Sequence, residues 1–159
     1  MTKLKNISQK YLVKTTQLLV ILIFRICSSF SLDETQSLTL VSNQQGAPDE
    51  LTMTEMKSIL KGERQRWNDG TKIMIALLKT NTSLGTTISK KVYNMSGDEL
   101  NKYWLGLVFA GKAKAPQFFR SEGDLKDYVS QTKGAIGIVA SENVDQNLRS
   151  INVEGASNF

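Results

Sequence analysis

The sequence contains no histidine and only one cysteine among its 159 residues. Without histidine it can form no Ser-His-Asp triad, no Cys-His pair and no imidazole metal site. The single cysteine, Cys27, lies near the N-terminus, so the remainder of the chain can form neither a disulfide nor a thiolate metal site. We therefore expect a protein that is not an enzyme and holds no metal and no cofactor. An enzyme that relies on carboxylates is the less favoured alternative, because no acidic pair stands on an apolar background.

Acidic side chains are also missing from the first 31 residues. This segment holds five of the 20 basic side chains and none of the 15 acidic ones, so residues 32–159 balance 15 against 15. The net charge of +5 therefore belongs to the N-terminal segment. A nucleic-acid-binding domain would cluster basic residues on its folded part. We expect no nucleic-acid partner, since residues 32–159 show no such cluster in sequence.

Residues 1–31 resemble a secretory signal peptide. They combine a basic start, the apolar run "LLVILIF" (Leu18–Phe24), and small side chains at Ser29 and Ser31. The pattern predicts removal of residues 1–31, a mature domain of residues 32–159, and a periplasmic or secreted location. Two alternatives remain open. One is a membrane-anchoring helix, although the apolar run is short for a bilayer span. The other is a lipid anchor on Cys27, although "FRIC" lacks the usual small residues.

From residue 38 onward, apolar strand patterns alternate with helix patterns. Three helices have N-terminal capping signals, in which a hydroxyl is followed three residues later by an acid, and a fourth helix opens near Ser83. Gly62, Gly111 and Gly134 are the expected helix ends. The predicted strands are "LTLVSN" (38–43), "KIMIALL" (72–78), "APQFFR" (115–120), "GAIGIVA" (134–140) and an edge strand "INVEG" (151–155); the capped helices start at Thr52, Ser96 and Ser121. This order predicts an α/β domain with a mostly parallel sheet flanked by helices.

The aromatic residues are expected to serve the core. Trp67 precedes the Asn-Asp-Gly turn, and we expect it to pack over the end of the strand that follows. We also expect one helix to direct three aromatic side chains, Tyr103, Trp104 and Phe109, into the core. The strands "KIMIALL" and "GAIGIVA" are nearly continuous apolar runs, which is typical of strands buried on both faces.

Five successive motifs resemble the phosphate-binding proteins of ABC transporters, and more closely their short, single-lobe relatives of the periplasmic binding protein superfamily. The motifs are a helix ending at Gly62, then Trp67 with a glycine turn and an apolar strand, "YWLGLVFAG", "RSEGDL", and "GAIGIV". They span roughly residues 38 to 140. The resemblance implies one lobe of a binding-protein fold.

The resemblance also implies a place for an oxyanion. Full-length relatives clamp the anion between two lobes, and one wall is a helix N-terminus preceded by a motif like Arg-Ser-Asp-Gly-Ser-Gly-Thr. The matching segment here is "KTNTSLGTT". Lys79 stands at the arginine, Asn81 near the aspartate, and Ser83, Gly85 and Thr86 near Ser-Gly-Thr.

Helix electrostatics support the same segment independently of the resemblance. A helix N-terminus has unpaired N–H groups and a partial positive charge. The other three predicted helices place an acid there, whereas the helix opening at Ser83 does not. We predict an anion site formed by Lys79, Ser83, Gly85, Thr86 and Thr87. In this site Gly85 would permit close approach of the anion, and the three hydroxyls would donate to it. The alternative is that Ser83 only caps its own helix and the threonines face water.

Two functions follow from these observations. The favoured one is an exported binding protein for phosphate or another small oxyanion, related to ABC transport, which binds weakly unless a second copy or an envelope or transporter protein supplies the missing wall. The alternative is an envelope interaction protein built on one lobe that no longer binds small molecules.

Overall fold

The structure is a computed structural model that describes residues 37–158. The predicted signal peptide, residues 1–31, lies outside the described residues. Within residues 37–158, no helix is long and apolar enough to cross a membrane. The elements in chain order are β1 (Leu38–Ser42), β2 (Glu50–Leu51), α1 (Met53–Leu60), β3 (Met74–Leu78), α2 (Ser83–Tyr93), α3 (Gly97–Phe109), β4 (Gln117–Phe119), α4 (Glu122–Gln131), β5 (Ala135–Ala140) and β6 (Arg149–Val153).

One sheet of six strands forms the centre of the described domain, in the order β2-β6-β1-β5-β3-β4. Strand β3 pairs in parallel with both β5 and β4, and β2 pairs in parallel with β6. Strand β1 pairs antiparallel with β5 and with β6. The predicted α/β class is confirmed, and three of the five pairings are parallel.

Two strand predictions need correction. Strand β6, expected at an edge, lies between β1 and β2, because the two-residue strand β2 pairs along its outer side. The first half of the "KIMIALL" segment is only partly buried. Strand β4 pairs with Ala76 to Leu78, so it does not cover Met74 and Ile75.

The predicted capping signals form as the sequence indicates. Thr52 and Glu55 make a reciprocal capping box at the start of α1, and Ser96 and Glu99 make another at α3. At α4, the hydroxyl of Ser121 accepts a hydrogen bond from the N–H of Asp124. Helix α4 ends at Gln131, three residues before the glycine that was expected to end it.

Helix α4 packs closely on the middle of the sheet at Gly137. A Cβ at this position would lie 2.8 Å from Cδ2 of Leu125, so only glycine allows the observed approach. Leu125 and Val129 of α4 are fully buried by the contact. Burial of such side chains stabilises the fold by about 1.5–3 kcal/mol each.

Helix α3 contributes fewer aromatic side chains to the core than predicted. Trp104 is buried and the Tyr103 hydroxyl donates to the Lys61 carbonyl at 2.8 Å, but Phe109 is 82% exposed. At 100° per residue, Phe109 lies about 140° around the helix from Trp104. The prediction for Phe109 was wrong because the helix turns this position away from the buried side that carries Trp104.

Trp67 is buried beside Gly134, the residue that immediately precedes β5. Its side chain is 3% exposed, and its indole N–H donates to the Gly134 carbonyl at 3.0 Å. Trp104 is equally buried at 2% exposure, but its indole N–H has no partner in the described structure. The two tryptophans therefore differ in hydrogen bonding rather than in burial.

This difference predicts unequal effects of Trp→Phe substitutions. Trp67→Phe should lose about 1 kcal/mol more unfolding free energy than Trp104→Phe, because only the former loses a buried hydrogen bond. Urea unfolding of the two variants measures the difference directly. Equal losses would show that the Trp67 hydrogen bond contributes nothing to stability.

Candidate functional site

The parallel strands β3 and β4 end side by side, and the chain leaves the sheet there at Lys79 and Arg120. Leu78 pairs with Phe119, and the N–H of Lys79 donates to the Phe119 carbonyl at 2.8 Å. Ligands of open α/β sheets bind outside the carboxyl ends of the strands. We call residues 79–87 together with Arg120 the carboxyl edge; it contains every residue of the predicted anion site.

The start of α2 differs in one respect from the prediction. Thr82, rather than Ser83, is the N-cap, with extended backbone angles. Its Oγ1 accepts from the N–H of Gly85 at 3.0 Å and donates to the Lys79 carbonyl at 2.9 Å. Ser83 is the first helical residue, and its hydroxyl is exposed without a hydrogen bond among the described residues.

The threonine hydroxyls are engaged with the backbone. The Thr86 hydroxyl lies 2.9 Å from the Thr82 carbonyl and 3.0 Å from that of Thr80. The Thr87 hydroxyl donates to the Ser83 carbonyl at 3.2 Å. Either threonine would have to give up its hydrogen bond to a backbone carbonyl before its hydroxyl could donate to an anion. Ser83 is therefore the one hydroxyl among these three that can donate without breaking a bond seen in the described residues.

Gly85 has a different role from the one predicted. A Cβ at this position would lie 2.1 Å from the Lys79 carbonyl oxygen and 2.7 Å from Thr82 Oγ1. The residue is buried. Glycine is therefore required so that the first turn of α2 can pack against the end of β3, and its missing side chain does not open space for an anion.

The carboxyl edge nevertheless retains positive potential. Of the four α-helices in residues 37–158, only α2 lacks an acid in its first turn. In α3, hydrogen bonds from Ser96 lower the pKa of Glu99, which keeps that helix start occupied by a carboxylate. The N–H groups of Ser83 and Leu84 have no acceptor within their own helix because of their position.

Arg120 is a residue that the predicted site omitted. It follows β4 as Lys79 follows β3, and it is exposed. Neither of these two cationic side chains has a hydrogen-bond or ion-pair partner in the described part of the chain. The sequence shows only that Arg120 follows a short strand. That this strand lies beside β3 is known only from the order of strands in the sheet.

The beginning of α3 closes one side of the carboxyl edge. Asn101 Nδ2 donates to the Thr80 hydroxyl at 3.1 Å. A Cβ on Gly97 would lie 2.8 Å from the Thr80 Cβ, so the helix start packs directly on this loop. Residues 37–158 contain no group of three acidic or cysteine side chains that could hold a metal ion.

The described domain has the fold of one lobe of solved substrate-binding proteins. Solved structures with the same fold include an ABC-type phosphate transport receptor from Vibrio cholerae, at 19% identity and a TM-score of 0.59, covering 79% of this chain and 50% of that one. Another is a phosphate ABC transporter substrate-binding protein with bound phosphate from Clostridium perfringens (18% identity, TM-score 0.58, coverage 77% and 48%). PstS from Borrelia burgdorferi is a third (16% identity, TM-score 0.57, coverage 77% and 53%).

The similarity confirms the predicted resemblance at the level of the fold. The chain spans about half the length of the solved chains it matches. No protein-family profile and no curated protein matches the sequence.

The close packing around Gly85 predicts that alanine destabilises the protein there, and the uncrowded Gly106 serves as the control position. Gly85→Ala should lower the unfolding free energy by about 1–3 kcal/mol, because the added methyl group collides with the Lys79 carbonyl. Gly106→Ala, at a helical glycine with nothing within 4 Å of the added Cβ, should raise it by about 0.5–1 kcal/mol. Urea unfolding measures both; a neutral Gly85→Ala would refute the packing role.

Proposed function

We propose that this chain is an exported, non-enzymatic binding protein whose carboxyl edge holds a small oxyanion such as phosphate. The observation that carries the proposal is the acid-free start of α2, which follows Lys79 along the chain, while Arg120 follows the neighbouring strand β4 at the same edge. The proposed donors are these two side chains, the hydroxyl of Ser83, and the N–H groups of Ser83 and Leu84. Thr86 and Thr87 join them only by giving up their backbone bonds.

The likeness to phosphate receptors supports this ligand class. The matched solved proteins carry names that tie them to phosphate transport, and one is described with bound phosphate. Phosphate also suits the donors, because backbone N–H groups at a helix start and cationic side chains are typical oxyanion ligands. The proposal does not require the same affinity as in those longer chains.

A single lobe should bind the anion weakly. A charge at an exposed helix N-terminus gains only about 0.3–1 kcal/mol, whereas micromolar affinity needs about 8 kcal/mol. The two cations add to this, but salt screens exposed charges over about 8 Å at physiological ionic strength. We propose that a second copy, or an envelope or transporter protein, supplies the opposite wall and excludes water.

Titration of the purified protein with phosphate and with sulfate, followed by backbone-amide NMR, tests the site. We expect shifts centred on Ser83 and Leu84 with a dissociation constant in the millimolar range or weaker. Ser83→Asp should abolish them, because its carboxylate occupies the helix N-terminus. Ser83→Asn, which has the same size without the charge, is the matched control and should retain binding.

Lysine variants give a second comparison. Lys79→Gln should weaken binding, whereas Lys90→Gln, in the last turn of the same helix, should leave it unchanged. Undiminished binding in Ser83→Asp, or micromolar binding by a monomer without a partner, would contradict the proposal.

The alternative function is a protein-interaction module without a small-molecule ligand. The observation that favours it is the apolar stripe on α3, where Leu105, Val108 and Phe109 are exposed. Contiguous exposed apolar residues often mark interaction surfaces. Absence of any shift with phosphate or sulfate would favour this function over the first.

Export is a separate part of the proposal. We expect mass spectrometry of the protein from the native cell envelope to find a chain that begins near Leu32, since signal peptidases cleave after small residues such as Ser31. A cytoplasmic protein with residues 1–31 intact would contradict export.

A further inference from the structure

A cavity lies at the opposite end of β3 from the carboxyl edge. Its walls are the segment before the strand, the amino end of β3 itself, the segment between α3 and β4, and Tyr128 of α4. Its volume is about 130 Å³. We call it the basic cavity, for the four cationic residues that line it: Arg64, Arg66, Lys72 and Lys114.

The charge of the basic cavity is one-sided. It gathers four of the 15 basic residues of positions 32–159 and is lined by none of the 15 acidic ones. Arg64 is neutralised by Glu55, with 3.2 Å between Nη1 and Oε1. By contrast, the ammonium groups of Lys72 and Lys114 have no ion-pair or hydrogen-bond partner in the part of the chain that the structure describes. Arg66 donates to the Gly70 carbonyl at 2.8 Å but has no ion pair among the described residues. Three exposed cations therefore lie at one cavity without a compensating acidic group.

Two of these cations come from residues that lie opposite each other in the backbone. Arg66 and Lys72 are directly opposed in an antiparallel bridge that closes the turn at residues 67–71. Like charges in directly opposed positions destabilise a strand pair. Trp67, buried and bonded to the Gly134 carbonyl, anchors this turn, so the two residues stay opposed in the backbone. An anion between them would relieve the repulsion.

The remaining walls are mostly apolar. Ile73, Ile75 and the ring of Tyr128 line the cavity, and all three are only partly buried. Strand β4 does not extend far enough to cover this part of β3. An apolar cavity of about 150 Å³ holds one benzene molecule, so the volume here suits a body about the size of one ring.

We propose that the basic cavity binds a small organic phosphate monoester, with the phosphate against Arg66, Lys72 and Lys114 and a ring-sized apolar body against Ile73 and Ile75. Three uncompensated cations favour a dianion over a monoanion. The site is independent of the carboxyl edge, because seven residues of extended chain separate Lys72 from Lys79, which corresponds to roughly 23 Å.

Calorimetry with the full chain and phenyl phosphate as the probe tests the proposal. We expect phenyl phosphate to bind at least tenfold more tightly than either inorganic phosphate or phenol, since only the ester supplies both the charge and the apolar body. The double variant Arg66→Gln/Lys72→Gln should weaken phenyl phosphate binding at least tenfold. Equal affinity for the three probes, or full binding by the double variant, would overturn the proposal.

Two control variants separate this site from the carboxyl edge. Lys90→Gln removes an exposed lysine elsewhere and should leave phenyl phosphate binding unchanged. Ser83→Asp should also leave it unchanged while abolishing the amide shifts caused by inorganic phosphate. Loss of phenyl phosphate binding in Ser83→Asp would overturn the basic cavity as the site, whatever the fate of the proposed function.

The repulsion between Arg66 and Lys72 can also be tested through the melting temperature. Without ligand, Lys72→Gln should raise the melting temperature, because it removes the repulsion with Arg66. Phenyl phosphate should raise the melting temperature of the wild-type chain more than that of the variant. A variant that melts below the wild type without ligand, and gains as much from phenyl phosphate, would contradict the argument.

The phosphate ester could belong to a free small molecule or to a lipid headgroup. Sedimentation with vesicles of phosphatidic acid, whose headgroup is itself a phosphate monoester, in phosphatidylcholine distinguishes these sources. Cosedimentation that the double variant loses would assign the headgroup, and cosedimentation equal in both chains, or absent from both, would assign the free molecule.

Discussion

The parallel pairing of β3 with both neighbours is the constraint on which the rest of the arrangement depends. It aligns the carboxyl ends of β3 and β4, so that Lys79 and Arg120 leave the sheet together. It also places α2 directly after β3, where Gly85 allows the first turn of the helix to pack against the strand end. Glycine on β5 then lets α4 cover the centre of the sheet. Without this pairing, neither the two cations nor the helix start would lie at one edge.

The two ends of β3 differ in chemistry. At the carboxyl end, backbone N–H groups and two separate cations face an open edge with several hydroxyls. At the amino end, three uncompensated cations surround partly exposed apolar side chains in a cavity. The cations at both ends are accessible to solvent and are screened by water and salt. The difference is the apolar wall of Ile73 and Ile75 that lies beside the cations at the amino end.

The short strand β4 explains much of this asymmetry. It pairs with the last three residues of β3 and leaves the first two without a neighbour on that side. The cavity occupies this gap, between the end of α3 and the turn before β3. A sequence in which β4 extended toward residue 115 would cover Ile75 and fill the space. The cavity at the amino end of β3 therefore exists because β4 is short.

The sequence by itself determined the elements whose signals are local. The capping pairs Thr52/Glu55 and Ser96/Glu99, the acid-free start of α2 and the continuous apolar run of β5 depend on residues a few positions apart, so the sequence predicted them. The succession of motifs also identified the fold of a single lobe.

Tertiary structure decided what depends on distant neighbours. The hydroxyls of Thr86 and Thr87 were predicted as donors, but backbone carbonyls within reach bind their protons. Gly85 was predicted to leave room for an anion, but the strand end packs so closely against it that not even a methyl group fits there. Arg120 joins Lys79, and Arg66 opposes Lys72, only through strand pairings that are not encoded in the spacing of the residues. Phe109 is exposed because α3 buries the side that carries Trp104, and which side of a helix is buried depends on packing against distant elements rather than on local sequence.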